Sequence, residues 1–352
     1  MKRAVIRHTL NKIWSLTHSK TFNVFHAPSF VNLNGKVFHL RLHSTWQSNN
    51  GNGSDSGSFT GKKAKKVKEI LKAWLDMFHS CHISEPKQSI EHIIAHTLGS
   101  RSISSVYKFN NKVLSLREIQ QINELCQQRL KRLPIQYIIQ EWDFRGLTLK
   151  MSPPVFIPRP ETEMLVDVVL NEVERKATDS VLEFCCGSGA ISISLLKSQP
   201  QLNVTAIDKS KEACGLTELN AKLHDVSSRL KVIHEEITED HPDAILKKYD
   251  VIVSNPPYLF EDDMISLQPE IKLYEDLEAL DGGIDGLKVI KNILRVSSGL
   301  LNCDGRVFLE VDPRHPDLIR SWLRQYPAMK LHLERVYKDF CDKDRFVEIV
   351  KK

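Results

Sequence analysis

Beyond residue 158 the chain alternates between two hydrophobic patterns, and this limits the possible folds more than any other feature. Short apolar runs stand at VLEF (181–184), VTAID (204–208), LKVI (230–233), DVIVSN (250–255) and RVFLEV (306–311). Between most of them, apolar residues recur at helical spacing. Strands alternating with helices define an α/β, doubly wound sheet. The last two segments, KLHLERVYK (330–338) and RFVEIVKK (345–352), are joined by a short loop without a helix. They predict a closing hairpin that makes one sheet edge antiparallel.

The first strand runs into a glycine turn and a helix, VLEFCCGSGAISISLL (181–196). Gly187 and Gly189 let the backbone approach a ligand, and the helix N-terminus favours an anionic group. The dinucleotide fingerprint GxGxxG is absent. One acidic residue, Glu183, before a short turn suits a ligand with an amino-acid moiety. Its carboxylate can take the amino group directly or through water, and backbone N–H groups the carboxylate. Asp208 ends the next strand, where a carboxylate accepts ribose hydroxyls or caps the following helix. After the third strand, Glu235 and Glu236, followed by Ile237, can reach an adenine edge or stand as solvated charges. Together these strand ends outline a nucleoside pocket without phosphate, which fits S-adenosylmethionine better than NAD.

The fourth strand ends in Asn255-Pro256-Pro257-Tyr258. An amide nitrogen or exocyclic amine is a poor nucleophile because its lone pair is delocalised. Methylating it calls for acceptors that hold its two hydrogens and stabilise the positive charge arriving with the methyl. The Asn255 side-chain oxygen and the Pro256 carbonyl can supply them. The prolines hold these acceptors rigid and bring no competing N–H. Tyr258 offers a flat face to a planar amide or base.

Upstream of residue 158 the chain changes character. Residues 1–54 hold seven Lys or Arg and no Asp or Glu, so taking seven from the net +5 leaves −2 for the remainder. The basic balance belongs to the N-terminus, which weighs against a nucleic-acid-binding body. An acid-free leader rich in Ser, Thr and Asn, with Val5, Ile6, Leu10, Ile13 and Trp14 at helical spacing, fits a mitochondrial transit peptide; a disordered tail is the alternative. A cleavage point near Arg41–Ser44 is compatible with it. NNGNGSDSGSFTG (49–61) reads as a flexible linker. No apolar stretch reaches the roughly 18–20 residues of a membrane-spanning helix. Seven cysteines without paired spacing fit a reducing compartment rather than a disulfide framework.

Val67, Ile70, Leu71, Trp74, Leu75 and Phe78 form an amphipathic stripe. Pro86 opens a second helix closed by Gly99, and SLRE (115–118) is a capping box for a third running to about residue 132. IQYIIQEWDFRGLTLKM predicts a hairpin around its Gly. The expected organisation is leader and linker over 1–58, a helical domain over 59–133, a hairpin linker over 134–157 and the catalytic domain over 158–352. His92 and His96 are four apart on a helix but lack a third ligand, and Cys185-Cys186 is not CxxC. Neither pair is read as a metal or redox centre.

With IPRPETE (157–163), LEFCCGSGAI (182–191), SNPPY (254–258) and ALDGGIDGL (279–287), the catalytic half resembles the HemK/PrmC family. These class 1 (Rossmann-like) methyltransferases modify the glutamine of the Gly-Gly-Gln motif in peptide-chain release factors. The helical first half and QYI (136–138) fit the family's small N-terminal domain. NPPY alone is shared with adenine and guanine amino methyltransferases, so DNA or RNA amino-group methylation is the alternative activity. The resemblance implies S-adenosylmethionine contacts at Cys185, Cys186, Gly187, Ser188, Gly189, Asp208 and Asn255. It also implies that Asn255, Pro256, Pro257 and Tyr258 grip the target amide, with helical residues docking the protein substrate. With the leader, it implies an organellar enzyme of the mitochondrial matrix acting on mitochondrial release factors, without a metal. Two segments depart from the family. Its usual Asp-Leu-Gly-Thr-Gly is here Glu183-Phe184-Cys185-Cys186-Gly187, so the Cys185 side chain must point away from the cofactor or narrow that end of the pocket. EVDPR (310–314) replaces a glycine-containing turn.

Overall fold

A computed structural model describes residues 65–352, except 101, 240–244 and 246, together with the backbone of two short strands at Phe30–Val31 and Val37–Phe38. Those two strands pair antiparallel, Phe30 opposite Phe38. The leader and linker expected over 1–58 otherwise lie outside the described residues.

The helical part comprises α1 (Val67–Ser80), α2 (Pro86–Thr97), α3 (Leu116–Leu130) and the short α4 (Ile135–Ile139). Pro86 occupies the first turn of α2, where its missing N–H costs nothing. Ser115 and Glu118 form the capping box of α3: Ser115 Oγ accepts from Glu118 N at 3.2 Å, and Glu118 Oε2 from Ser115 N at 2.7 Å. Ile70, Phe78, Ile90, Ile93, Ile94 and Ile122 bury into a core of their own. His92 lies against the Trp142 ring at 5.1 Å.

Residues 135–139 were expected within a hairpin but coil into α4. Four apolar residues interrupted by Gln136 carry no decisive periodicity, and the Pro134 carbonyl accepts the N–H groups of Tyr137 and Ile138, starting a helical turn. The hairpin itself follows as β1 (Glu141–Phe144) and β2 (Leu147–Lys150), turning at Arg145-Gly146.

Next come α5 (Pro160–Lys176), β3 (Ser180–Phe184), α6 (Ala190–Ser198), β4 (Asn203–Asp208), α7 (Lys211–Leu223), β5 (Leu230–His234) and β6 (Tyr249–Ser254). They are followed by α8 (Pro269–Tyr274), α9 (Lys288–Leu300), β7 (Leu301–Glu310), α10 (His315–Gln325), β8 (Leu331–Lys338) and β9 (Asp344–Lys351). The sheet order is β8-β9-β7-β6-β3-β4-β5. Pairs among β7, β6, β3, β4 and β5 are parallel, and β9 runs antiparallel to both β7 and β8.

Each central strand feeds two cores, because side chains alternate across the sheet. Val181, Val251, Val253, Phe308 and Phe346 bury on one face, against α5 and α6. Leu182, Ile252, Val307, Leu309 and Val347 bury on the other, against α9 and α10. This double burial is why the strands read as unbroken apolar runs. β7 begins five residues before the expected strand. Its LNCDG stretch reads as a turn, and the chain there does bulge, with Asp304 at φ 59° and an irregular register beside Tyr249 and Val251.

Strand order reverses between β3 and β6, so a crevice opens beyond their carboxyl ends. Cys185 follows one strand and Asn255 the other. At that point Ser254 Oγ donates to Phe184 O at 2.7 Å, stitching the two ends together.

Candidate active site

The crevice is a cleft of about 430 Å³ lined by Cys185, Gly187, Asp208, Glu236, Ile237, Asn255 and Pro257, with Phe156, Lys209, Asp276, Glu278, Asp281, Lys288 and Asn292 among its other walls. A second cavity of about 170 Å³ is lined by Arg159, Pro256, Tyr258, Leu259, Leu267, Ile271 and Leu280. Asn255, Phe156 and Ala279 line both, so the two spaces meet at Asn255.

The turn after β3 is held from behind. Cys185 adopts φ 58° and Gly187 φ 56°. Gly187 N donates to Asp208 Oδ2 at 2.9 Å, while Asp208 Oδ1 accepts from Ser210 N at 2.9 Å. Asp208 thus knits two strand ends together and faces the cleft. The cap of α7 belongs to Ser210, whose Oγ accepts from Ala213 N at 3.2 Å. Burial pushes the Asp208 carboxyl up, against the opposing pull of those two N–H groups and Lys209.

Several expected cofactor residues stand elsewhere. Glu183 does not reach the cleft wall: its carboxyl lies beneath α6, where Ser192 Oγ donates to it, and burial raises it to about 8. Its other oxygen has no hydrogen-bond partner among the described residues. The strand's alternation explains this placement, since Glu183 faces the α6 side while Phe184 faces the opposite core. Cys186 is buried against Thr217, whose hydroxyl donates to its sulfur at 3.5 Å. Ser188 is buried with its carbonyl accepting from Asn220 Nδ2 at 3.0 Å, and Gly189 starts α6. These three shape the turn, and only Cys185 and Gly187 of the five line the cleft. The left-handed backbone at Cys185 is the physical reason a glycine suits that position. Beyond β5, Glu236 and Ile237 reach the cleft, and Ile237 O accepts from Asn292 Nδ2 at 3.2 Å. Glu235 does not line it; its backbone N–H donates to Asp208 O at 3.0 Å.

Asn255-Pro256-Pro257-Tyr258 is clamped by sequence-distant segments. Leu259 N donates to Leu280 O at 2.9 Å, Gly282 N to Leu259 O at 2.9 Å and Glu261 N to Gly283 O at 3.0 Å, tying ALDGG to it. A Cβ on Gly286 would stand 2.5 Å from His315 Nε2 and 2.6 Å from Tyr258 O, so only glycine fits. IPRPETE is tied down as well. Glu275 accepts from Arg159 at 2.8 and 3.0 Å and from Ile157 N at 3.3 Å.

Two residues that sequence reasoning did not single out complete the site. Glu310, the last residue of β7, accepts from Thr162 Oγ1 at 2.8 Å through Oε2 and from Tyr258 OH at 3.2 Å through Oε1. Thr162 Oγ1 in turn accepts from Asn255 Nδ2 at 3.2 Å. Burial lifts Glu310 to about 7 and pushes the Tyr258 hydroxyl up. The available signal was a lone acid in the otherwise apolar strand VFLEV.

A mostly parallel sheet with a cleft at its switch point, rimmed by a strand-end carboxylate and an Asn-Pro-Pro-Tyr clamp, defines a Rossmann-like, S-adenosylmethionine-dependent methyltransferase. Residues 148–268 match the Methyltransferase small domain, and residues 69–139 the PrmC N-terminal domain. The chain is 45% identical over 291 residues to the MTRF1L release factor glutamine methyltransferase of Homo sapiens, covering 80% of this chain and 86% of that one. It is 34% identical to the release factor glutamine methyltransferase of Thermodesulfovibrio yellowstonii (71% and 85% covered) and 32% to that of Chlorobaculum tepidum (71% and 86%). The chain belongs to the release factor glutamine methyltransferase family.

The cleft suits that cofactor on its own chemistry. Its volume lies in the range of roughly 300–1,000 Å³ usual for small-molecule sites. Asp208, Glu236, Asp276, Glu278 and Asp281 outnumber Lys209 and Lys288 on its walls, and among the described residues no arginine lines it. Such a surface favours a cationic sulfonium nucleoside over a phosphorylated one.

Proposed function

We propose that this protein transfers the methyl group of S-adenosylmethionine to the side-chain amide nitrogen of the glutamine in the Gly-Gly-Gln motif of mitochondrial peptide-chain release factors. The observation that carries this reading is the position of Asn255, where the acidic cleft meets the smaller pocket beside Tyr258. The backbone at Cys185 and Gly187, with Asp208, Glu236, Ile237 and Asn255, would hold the cofactor, which supplies an electrophilic methyl when bound.

The chain's own residues do the rest. The Asn255 side-chain oxygen and the Pro256 carbonyl accept the two hydrogens of the target amide, orienting its nitrogen toward the cleft. As positive charge grows on that nitrogen, both acceptors bind more strongly than in the ground state. Phe156 and Tyr258 offer flat faces to the planar amide, and Leu259, Leu267, Ile271 and Leu280 keep water from competing for it. Residues 59–133 serve as the docking domain, 134–157 as the link and 158–352 as the catalytic domain. The basic leader within 1–58 delivers the chain to the mitochondrial matrix.

The test supplies purified protein and labelled cofactor with a mitochondrial release factor, its Gly-Gly-Gln→Gly-Gly-Ala variant, and DNA or RNA. Label on the first alone supports the reading, and label on nucleic acid replaces it with amino-group methylation of a base. Asn255→Ala should lower kcat by about 10²–10³, the usual cost of removing one such transition-state partner, with cofactor binding largely kept by calorimetry. Near-normal turnover in that variant removes the role given to Asn255.

A further inference from the structure

A carboxamide has two nearly isosteric orientations, and only one serves Asn255. With Oδ1 toward the target, it accepts an amide hydrogen; flipped, its NH₂ meets the target's NH₂, donor against donor. The structure fixes the choice through residues that do not touch the target. An ionised Glu310 can only accept, and both its oxygens are taken, one by Tyr258 OH and one by Thr162 Oγ1. A threonine hydroxyl has a single proton, so once that proton is given to Glu310 the oxygen can only accept. The group facing Thr162 must then be Asn255 Nδ2, as found at 3.2 Å, which leaves Oδ1 free. Thr162 and Glu310 are buried, at 2% and 1% exposure, so water cannot stand in for either.

We propose that Thr162 and Glu310 are positioning residues that set the polarity of Asn255, and that Glu310 orients Tyr258 through the same carboxylate. The inference rests on the acceptor role given above to Asn255. It explains why the IPRPETE segment and the end of β7 converge on the clamp from 93 and 52 residues away. The relay is also sensitive to a proton. A protonated Glu310 can donate to Thr162, whose hydroxyl then turns toward Asn255 and draws its oxygen inward. Facing Glu310 are Thr162 and Glu161 from α5, Tyr258 from the clamp and Arg345 from β9. Burial is the dominant influence and moves its titration toward neutrality.

The test compares Thr162→Val and Thr162→Ser with wild type, reading kcat, KM for the release factor and cofactor Kd by calorimetry. Thr162→Val should lower kcat tenfold or more with cofactor Kd within twofold, and Thr162→Ser should return kcat to within threefold. In an Asn255→Ala background, Thr162→Val should have no further effect. A Thr162→Val enzyme within threefold of wild type, alongside an inactive Asn255→Ala, overturns the relay and leaves the proposed activity standing. Full activity in Asn255→Ala removes both. Should Thr162→Val fail to fold, the wild-type profile decides. At saturating substrate kcat should fall on the acid side of neutrality, and a flat profile down to about pH 5.5 overturns the relay.

Discussion

Two glycines at positive φ should respond differently to the same added methyl group. At Gly286 (φ +67°) a Cβ meets His315 Nε2 at 2.5 Å and the Tyr258 carbonyl at 2.6 Å, against roughly 3.5–4.0 Å for a relaxed contact. Neither neighbour can yield cheaply. His315 is fully buried, with Nδ1 accepting from Asp312 N and Nε2 facing Asp285 O, each at 3.2 Å. The Tyr258 oxygen is backbone within the clamp. Left-handed strain of about 1–2 kcal/mol joins an overpacking cost of about 1–3 kcal/mol, so Gly286→Ala should destabilise by about 2–5 kcal/mol. At Gly187 (φ +56°) nothing lies within 4 Å of the added carbon, and only the strain of about 1–2 kcal/mol remains. That carbon would instead stand in the cleft wall. Urea unfolding of both variants, with calorimetry of cofactor binding, separates the cases. Gly286→Ala should lose stability and turnover, whereas Gly187→Ala should remain folded and bind cofactor more weakly. Equal stability losses in the two variants would refute the assignment of the Gly286 contact as the lock on Tyr258.

Two further predictions concern buried charge. Arg129 pairs with Glu270 at 3.1 Å, and both are almost fully buried, so Arg129→Met should cost about 3–5 kcal/mol by urea unfolding; adding Glu270→Gln should recover part of it, and strict additivity would contradict the coupling. Glu183 titrates near 8 in the fold, above its ordinary 4.5, so between those values the native state binds more protons than the unfolded chain. Its contribution to stability is therefore fully present below about pH 4.5 and lost as pH rises through 8. Glu183→Gln should match wild type near pH 5 and melt higher at about pH 8, with cofactor binding retained; parallel melting curves, or loss of binding, would return Glu183 to the cofactor site.

What could be read from the sequence follows physical range. The strands of the parallel sheet were visible because burial on both faces writes itself into consecutive residues, as in Val251–Ser254. The caps of α2 and α3 were visible because they are completed within three or four residues. α4 was not, since four apolar residues around Gln136 fit either period and Pro134 decides the matter by accepting N–H groups. The cleft residues Gly187, Asp208 and Asn255 stood out because strand ends in this topology must face the switch point. Glu183 misled because proximity in sequence to the glycine turn says nothing of which sheet face a side chain takes. Thr162 and Glu310 escaped because their meaning is tertiary: 148 residues separate the partners of a single 2.8 Å hydrogen bond.

That range also explains why NPPY alone is an ambiguous signature while its companions narrow it. In the function proposed above, the clamp supplies two acceptors and an aromatic face, which any planar amino group can use. The room beside it is decided elsewhere. Leu267, two residues before α8, and Ile271 within it wall the smaller pocket. α8 is fixed to the helical part through Glu270 on Arg129 and through Tyr274 OH on Lys131 O at 2.7 Å. Burial alone would push Glu270 up, yet Ser84, Arg129 and Arg132 hold it below the usual carboxylate range, so the link stays charged at neutral pH. On the other side, Arg159 of IPRPETE lines the same pocket and is locked to Glu275. Two walls of that pocket, Ile271 on α8 and Arg159, are thus each held in place by an ion pair. In the function proposed above, the room left for a slim amide side chain therefore depends on the link between the helical and catalytic parts as well as on the clamp.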